Sequence, residues 1–402
     1  MMKKSKSKRI PLIVNDIIIN ETLFQKYLSR KNEKKVKALN DLSELNTRTE
    51  SELLKILNQM VKTKHFFKYC SSLLININPG PNYIKDYLNL QTWLQSTSSK
   101  NESTWQPHLY SFMYFVYKTM IKEQRDQVVN LLGPIGSGKT FNIVHIIEYF
   151  CCMVGPNKYQ VEIFDTIHKS IQLVHMMGSI YRENNIESTS CGMLLKLGFD
   201  DNNLISSFDL EAKILDYTLP FSENGRSFSI LHAFMTGAKL DLKRKFGIPE
   251  KEHSLNFFRK FANNFTESTK QRFKLNDLEI WNRFHSLMKF FQFSKEEVID
   301  VLSLISYILN LNELIITKIK IGKLKNVDAF TINQGVTTKK LSKNLSIDEE
   351  EFIKNFGQFY TIEEAKTFII SMMKKTYFIL FEFIITKVKN YLKGYFINLS
   401  RQ

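Results

Sequence analysis

The sequence predicts an α/β fold that is mostly α by residue count, and three observations predict it. Long stretches carry apolar residues at 3.6-residue spacing, as at 50–63, 296–312 and 361–392. Short β-rich runs interrupt them, among them Ser71–Asn78 and Gln127–Leu132. A glycine-rich turn, Gly133 to Gly138, then separates the second of these runs from a further helical pattern. The chain has 402 residues, 43% hydrophobic and 13% aromatic, which is enough to build a sizeable core and excludes wholesale disorder. With only 15 Gly and 8 Pro, it is no collagen-like, linker-rich or many-turned all-β chain.

The elements follow in order. Residues 1–40 hold eleven Lys and Arg against three Asp and Glu, half of the net charge of +16. The run Lys3, Lys4, Lys6, Lys8, Arg9 predicts a flexible basic tail, either solvated or in weak contact with an anionic surface such as a polyanion or lipid. Ile10–Asn20 is apolar but broken by Asn15 and Asp16, with no small-residue cleavage site after it, so it does not read as a secretory signal. Residues 50–63 set Leu53, Leu54, Ile56, Leu57, Met60 and Val61 on one helical face. Ser71–Asn78 is a strand stopped by Pro79-Gly80-Pro81. His108–Glu123 is helical, Gln127–Leu132 a short buried strand, and Lys139–Cys152 a helix. The stretch 155–226 is ambiguous, with strands expected around 193–199 and 203–215. Helices are expected again at 228–246, 296–312 and 361–392. Two apolar stretches, 299–317 and 367–388, carry Asp300, Glu313, Lys374, Lys375 and Glu382 where a bilayer core would be. They read as buried or amphipathic helices, with no transmembrane span.

Cys70, Cys151, Cys152 and Cys191 have no metal-ligand spacing, and vicinal Cys151 and Cys152 suit a disulfide poorly. So few thiols in a long chain point to a reducing, cytoplasmic compartment. His108 reads as a helix-start residue with structural hydrogen bonds, and Asp348–Glu351 as a solvated helix start. Phe257, Phe258, Phe261 and Phe265 are spaced for core packing rather than for stacking nucleic-acid bases. No Ser-His-Asp, Cys-His or paired-carboxylate arrangement stands out.

One motif carries chemistry: Gly133-Pro134-Ile135-Gly136-Ser137-Gly138-Lys139-Thr140 fits G-x-x-x-x-G-K-[ST], the phosphate-binding loop. Glycines let the backbone curl so that several N–H groups point at phosphate oxygens. The helix beginning at Lys139 aims its positive end at the same place. Lys139 would reach the β- and γ-phosphates of ATP, and the Thr140 hydroxyl would ligate Mg²⁺. The strand before the loop and the apolar-periodic helix after it favour this over a plain glycine turn. The fold class sharpens to a P-loop NTPase.

The flanks of the loop resemble the myosin motor head. Pro107-His108-Leu109-Tyr110, then Tyr117-Lys118-Thr119-Met120, then Arg125-Asp126-Gln127 leading to Gly133 are similar to that family's run into its loop. Ile146-Ile147-Glu148-Tyr149-Phe150 resembles the end of the following helix. Upstream, Leu42-Ser43-Glu44-Leu45, Leu53-Leu54 and Leu73 to Pro79 resemble the approach to the family's Asn-Pro loop, which implies Asn78, Pro79 and Tyr83 around adenine. That loop is shorter here than in the family. Downstream, Arg226-Ser227-Phe228-Ser229-Ile230-Leu231 with Thr236-Gly237-Ala238, and Leu380-Phe381-Glu382-Phe383, look like further head elements. The resemblance covers residues 40–396 and implies a mixed central sheet with a large helical section. Its expected organisation is a basic extension over 1–40 and a partial motor-like domain over 41–402, with a nucleotide-binding part at 71–226 and a helical upper part at 227–395. It also implies actin filaments as partner, actin-dependent ATP hydrolysis, MgATP as ligand and a cytoskeletal, cytoplasmic location. No specific nucleic acid is expected.

Two departures bear on mechanism. The family's γ-phosphate-sensing loop, Asn-x-Asn-Ser-Ser-Arg-Phe-Gly, finds its match in Asn185 to Gly192. Asn185, Ser188 and Gly192 agree, and Thr189 keeps a hydroxyl suited to Mg²⁺. The second Asn is Glu187, and the Arg that clamps the closed site is Ser190. Loss of such a group would remove about 3–5 kcal/mol of transition-state stabilisation. The second switch would fall beyond Gln402, so the chain reads as truncated after the N-terminal half of the head. Binding without efficient hydrolysis is expected. The rivals are a non-catalytic ATP- or actin-binding module, and a P-loop NTPase working on nucleic acid, which charge alone suggests.

Overall fold

A computed structural model describes residues 13–15, 40–45, 49–80, 87–98, 102–134, 136–153, 158–182, 185–202, 204–215, 227–250, 267–311, 313–314, 316–320, 328–332, 336–356, 359 and 361–400. The chain forms two compact units, 1–164 and 165–402.

The first unit is built around a four-stranded sheet. Strand β1 (Ile13–Asn15) lies between β3 (Leu73–Asn76) and β4 (Leu131–Leu132), parallel to both, and β2 (Phe67–Cys70) pairs antiparallel with β3. Within the basic extension expected over 1–40, residues 13–15 are therefore a central strand. Helix α1 (Glu50–Thr63) matches its predicted span; Thr49 caps its start and Lys64, at φ 58, its end. Leu42, Ile56, Leu57 and Met60 form a buried cluster with Leu53, Ile75 and Ile77 against it. The β2–β3 hairpin turns at Ser71, and the Asp41 carboxylate accepts the Ser71 amide at 3.0 Å.

Helix α2 (Leu90–Thr97) is capped by Asn89. Helix α3 (Leu109–Glu123) starts at His108, whose side chain accepts the Tyr110 amide, and α4 (Lys139–Cys152) follows the glycine loop. Trp93 of α2 meets Tyr110 of α3 and Tyr149 of α4 edge-on at 5.6 and 5.8 Å, joining the three helices. The strand predicted over Gln127–Leu132 pairs only at Leu131–Leu132, and it is not buried: Val128 is 60% exposed and Leu132 47%.

The unit boundary falls within α5 (Lys158–Gly178). The sequence reading left this helix unassigned, although Ile163, Ile167, Ile171 and Val174 recur at helical spacing and are buried. In the second unit, β5 (Ser179–Arg182) pairs with β6 (Asn185–Thr189), and β7 (Cys191–Phe199) with β8 (Ile205–Ile214), both antiparallel. The latter two coincide closely with the expected strands. The single helix expected over 228–246 is two, α6 (Ser229–Gly237) and α7 (Leu240–Lys245), because the backbone turns extended at Ala238. Helices α8 (Glu267–Phe290) and α9 (Lys295–Leu311), hairpin β9 (Ile316–Lys320) and β10 (Asp328–Ile332), and helices α10 (Val336–Leu345) and α11 (Glu349–Phe356) follow.

The last helix, α12 (Ile362–Leu399), begins with a capping box between Thr361 and Glu364. Its Tyr377 stacks on Phe228 at 3.9 Å and donates to the Met177 carbonyl at 2.6 Å. At Gly237 a Cβ would lie 2.3 Å from the Trp281 ring, so only glycine lets α6 approach α8 there.

The described chain is thus mostly helical. Its strands form one four-stranded sheet and three two-stranded ones; one central mixed sheet spanning the chain is not seen among the described residues. No helix among them is long and apolar enough to cross a membrane. Phe257, Phe258, Phe261 and Phe265 lie outside the described residues.

Candidate functional site

The phosphate-loop sequence folds into the turn its glycines permit. Strand β4 ends at Leu132, the chain curls, and α4 begins at Lys139. Gly136 and Gly138 sit at φ 83 and 90, the left-handed region where a side chain costs about 1 kcal/mol. Gly138 is the N-cap of α4 and supplies no capping side chain. The first-turn amides are accordingly left to a ligand, in the geometry that suits phosphate. Lys139 donates to the carbonyls of Gly133 and Pro134, both at 2.7 Å, and its ammonium lies 3.5 Å from Ser137 Oγ. Two carbonyls thereby fix the direction of the cation over the loop. Thr140, next along, is half-buried.

Three asparagines hold this cradle. Asn78 donates to the Gly136 carbonyl at 3.1 Å and accepts the Gly80 amide at 3.0 Å. Asn142, fully buried, donates to the Gly138 carbonyl at 3.0 Å and accepts from buried Asn76 at 3.2 Å. An amide relay thus runs from β3 through α4 to the loop. Sequence reading singled out Asn78 but missed Asn76 and Asn142. The signal for Asn142 was a polar residue four positions after Gly138, on the helix face one turn beyond it.

Tyr87 was also missed. Its ring lies nearly parallel to Phe141, the residue after Thr140, with centroids 6.4 Å apart. The Tyr87 carbonyl accepts from His108 Nε2 at 3.0 Å, while His108 Nδ1 accepts the Tyr110 amide. Burial pushes His108 down to about 4, so it is neutral near pH 7 and serves as a structural brace. One turn further along the same face of α4, His145 packs against Phe141 at 4.5 Å and meets Glu148 at 2.9 Å and the Tyr110 hydroxyl at 3.3 Å. A cavity of about 460 Å³ opens beyond Tyr87, lined by Met60, Phe67, Trp93, Trp105 and His108 among others; no residue of the loop lines it.

Of the remaining sequence candidates, Pro79 directly follows Asn78, and Ile135 and Tyr83 lie outside the described residues. Asn185, Ser188 and Thr189 belong to the second unit, in β6. The side chains of Asn185 and Glu187 lie outside the described residues. The Ser188 hydroxyl is buried and finds no hydrogen-bond partner among the described residues. Thr189 Oγ1 accepts the Cys191 amide at 3.3 Å. Ser190 joins β6 to β7; its amide donates to Gly178 and its carbonyl accepts from Leu215. This segment is therefore a paired strand rather than a loop, and its backbone groups are engaged in the ladder.

No three His, Cys, Asp or Glu gather to hold a metal among the described residues. The loop fits a magnesium nucleotide all the same: the helix start, the inward glycine turn and Lys139 suit phosphate. Thr140 offers one hydroxyl to a cation whose other ligands would be phosphate and water.

Residues 39–398 match the family model for the myosin head (motor domain). A probable myosin heavy chain of Encephalitozoon cuniculi is 24% identical over 331 residues, which cover 81% of this chain. The chain spans 18% of the length of that relative.

Proposed function

This chain belongs to the myosin head (motor domain) family, and from that premise we propose that it binds MgATP at Gly133–Thr140 and acts with actin filaments in the cytoplasm. The observation that supports ATP binding most directly is the loop itself: two glycines at positive φ, an uncapped helix start and a lysine held over the turn. Lys139 and Thr140 are the residues that would contact phosphate and magnesium. Tyr87, stacked between Phe67 and Phe141, braces the start of α4 beside the loop. Asn78 acts on the loop from behind, through the Gly136 carbonyl, and Pro79 fixes the turn after it.

Hydrolysis by this chain is slow. Where the family carries the arginine that clamps the closed site, Ser190 is short, buried and tied into strands. Positioning and charge are nearly all a protein contributes to phosphoryl transfer, so loss of a guanidinium falls directly on the rate. The second reading, a non-catalytic module that uses ATP as a structural ligand or holds actin, is favoured by the same Ser190.

The test is binding of a fluorescent ATP analogue together with steady-state phosphate release, with and without actin filaments. ATP bound and raising the melting temperature, with turnover near background, is the expected result. Actin-activated release at ordinary motor rates would overturn slow hydrolysis. Steady turnover abolished by Lys139→Ala would decide for the enzyme over the non-catalytic module.

A further inference from the structure

Strand β1 stands between the two arms of the phosphate cradle. Strand β3 runs through Asn76 toward Asn78, and β4 leads directly into Gly133. In the described sheet, with order β2-β3-β1-β4, the two arms do not pair with each other. Ile13 pairs with Leu74 on one side and Leu131 on the other, and Val14 with Ile75 and Leu132. Asn15 pairs with Asn76, the residue whose amide starts the relay through Asn142 to Gly138. Neighbouring strands lie about 4.8 Å apart, so β3 and β4 are separated by about 10 Å that only a third strand can bridge. Ile and Val suit a central strand paired on both edges.

We infer that Ile13–Asn15 is a positioning strand for the nucleotide: inserted, it sets the spacing between the Asn76–Asn78 arm and the Gly133 loop; withdrawn, it lets the two arms separate. A segment far from the loop in sequence thereby controls how well phosphate is held. The inference rests on the reading that Gly133–Thr140 bind ATP, but insertion of the strand can be measured without ATP.

Hydrogen–deuterium exchange on the full chain, read by mass spectrometry over residues 73–76 and 129–133, tests insertion. Both segments should be protected in the unmodified protein. Val14→Pro, which removes a ladder donor from a central strand, should speed exchange in both by about tenfold or more and weaken binding of a fluorescent ATP analogue about tenfold. Val14→Thr, which a strand accepts, should change neither by more than about twofold. A synthetic peptide of residues 8–18, added to a chain lacking residues 1–18, should restore protection and affinity together.

Fast exchange of both segments in the unmodified chain would overturn the inference, as would unchanged ATP affinity in a folded Val14→Pro protein. Should Val14→Pro fail to fold, exchange in the unmodified chain and recovery by the peptide still decide it. An unmodified chain that is protected but binds no ATP would refute the ATP reading and leave the strand's insertion standing.

Discussion

Gly133–Thr140 and Asn185–Ser190 are the two segments whose sequence points at phosphate, and they differ in kind. The first keeps every residue type its chemistry asks for and has the backbone that goes with them, with glycines at φ 83 and 90. The second keeps small polar side chains but carries Ser190 in place of a guanidinium, and its backbone is spent on a strand ladder. Holding a phosphate group needs amides and one cation; accelerating its transfer needs a further charge placed against the transition state. On the function proposed above, the two requirements have separated in this chain, and the loop is the part retained.

That contrast can be broken or sharpened by mutation. Lys139→Ala should have the largest effect, weakening binding of a fluorescent ATP analogue by about a hundredfold, since a charge-assisted contact to phosphate is lost. A change under about threefold would mean that the loop does not hold phosphate.

Next comes acid. His108 in the folded protein is pushed from 6.5 down to about 4, so the unfolded chain binds its proton first. Stability from this residue is present above pH 6.5 and lost as pH falls toward 4, by up to about 3 kcal/mol. Urea melts across that range should show the loss, and His108→Asn, which can still cap α3, should flatten it.

Asn142→Leu leaves the buried Asn76 amide without its partner and the Gly138 carbonyl with the backbone amide of residue 142 alone. It should cost about 2 kcal/mol in thermal unfolding and weaken ATP binding as well. Gly138→Ala should cost about 1 kcal/mol, all of it from the backbone, because the added Cβ would meet Asn142 and Asn78 at an ordinary 3.6 Å. Last, Ser190→Ala should leave ATP affinity within about twofold. A larger drop would give the second segment a share in binding and erase the contrast.

The turn of the loop was legible because it is local: its glycines and the helix start after them lie within eight consecutive residues. Helix α1 and the start of α3 were legible for the same reason, with Thr49 and His108 written just before their apolar faces. What supports the loop was not. Asn76 and Asn142 are 66 positions apart, and nothing in either neighbourhood announces their hydrogen bond. Strand β1 is three residues within a broken apolar run, too short for alternation to show. Helix α5 falls in a stretch, 155–226, whose pattern is ambiguous as a whole, although its isoleucines recur every four residues. Gln127–Leu132 failed the other way: an apolar run was taken as buried, but pairing reaches only its last two residues.

The side chains that shape the phosphate cradle from behind, Asn76, Asn78 and Asn142, are all uncharged amides. Dissolved ions screen a lysine but hardly disturb a hydrogen bond between uncharged amide groups. Raising ionic strength should therefore weaken capture of the nucleotide through Lys139 while the cradle keeps its shape. In a protein with a net charge of +16, the scaffold of the proposed site is thus held by contacts that carry no charge.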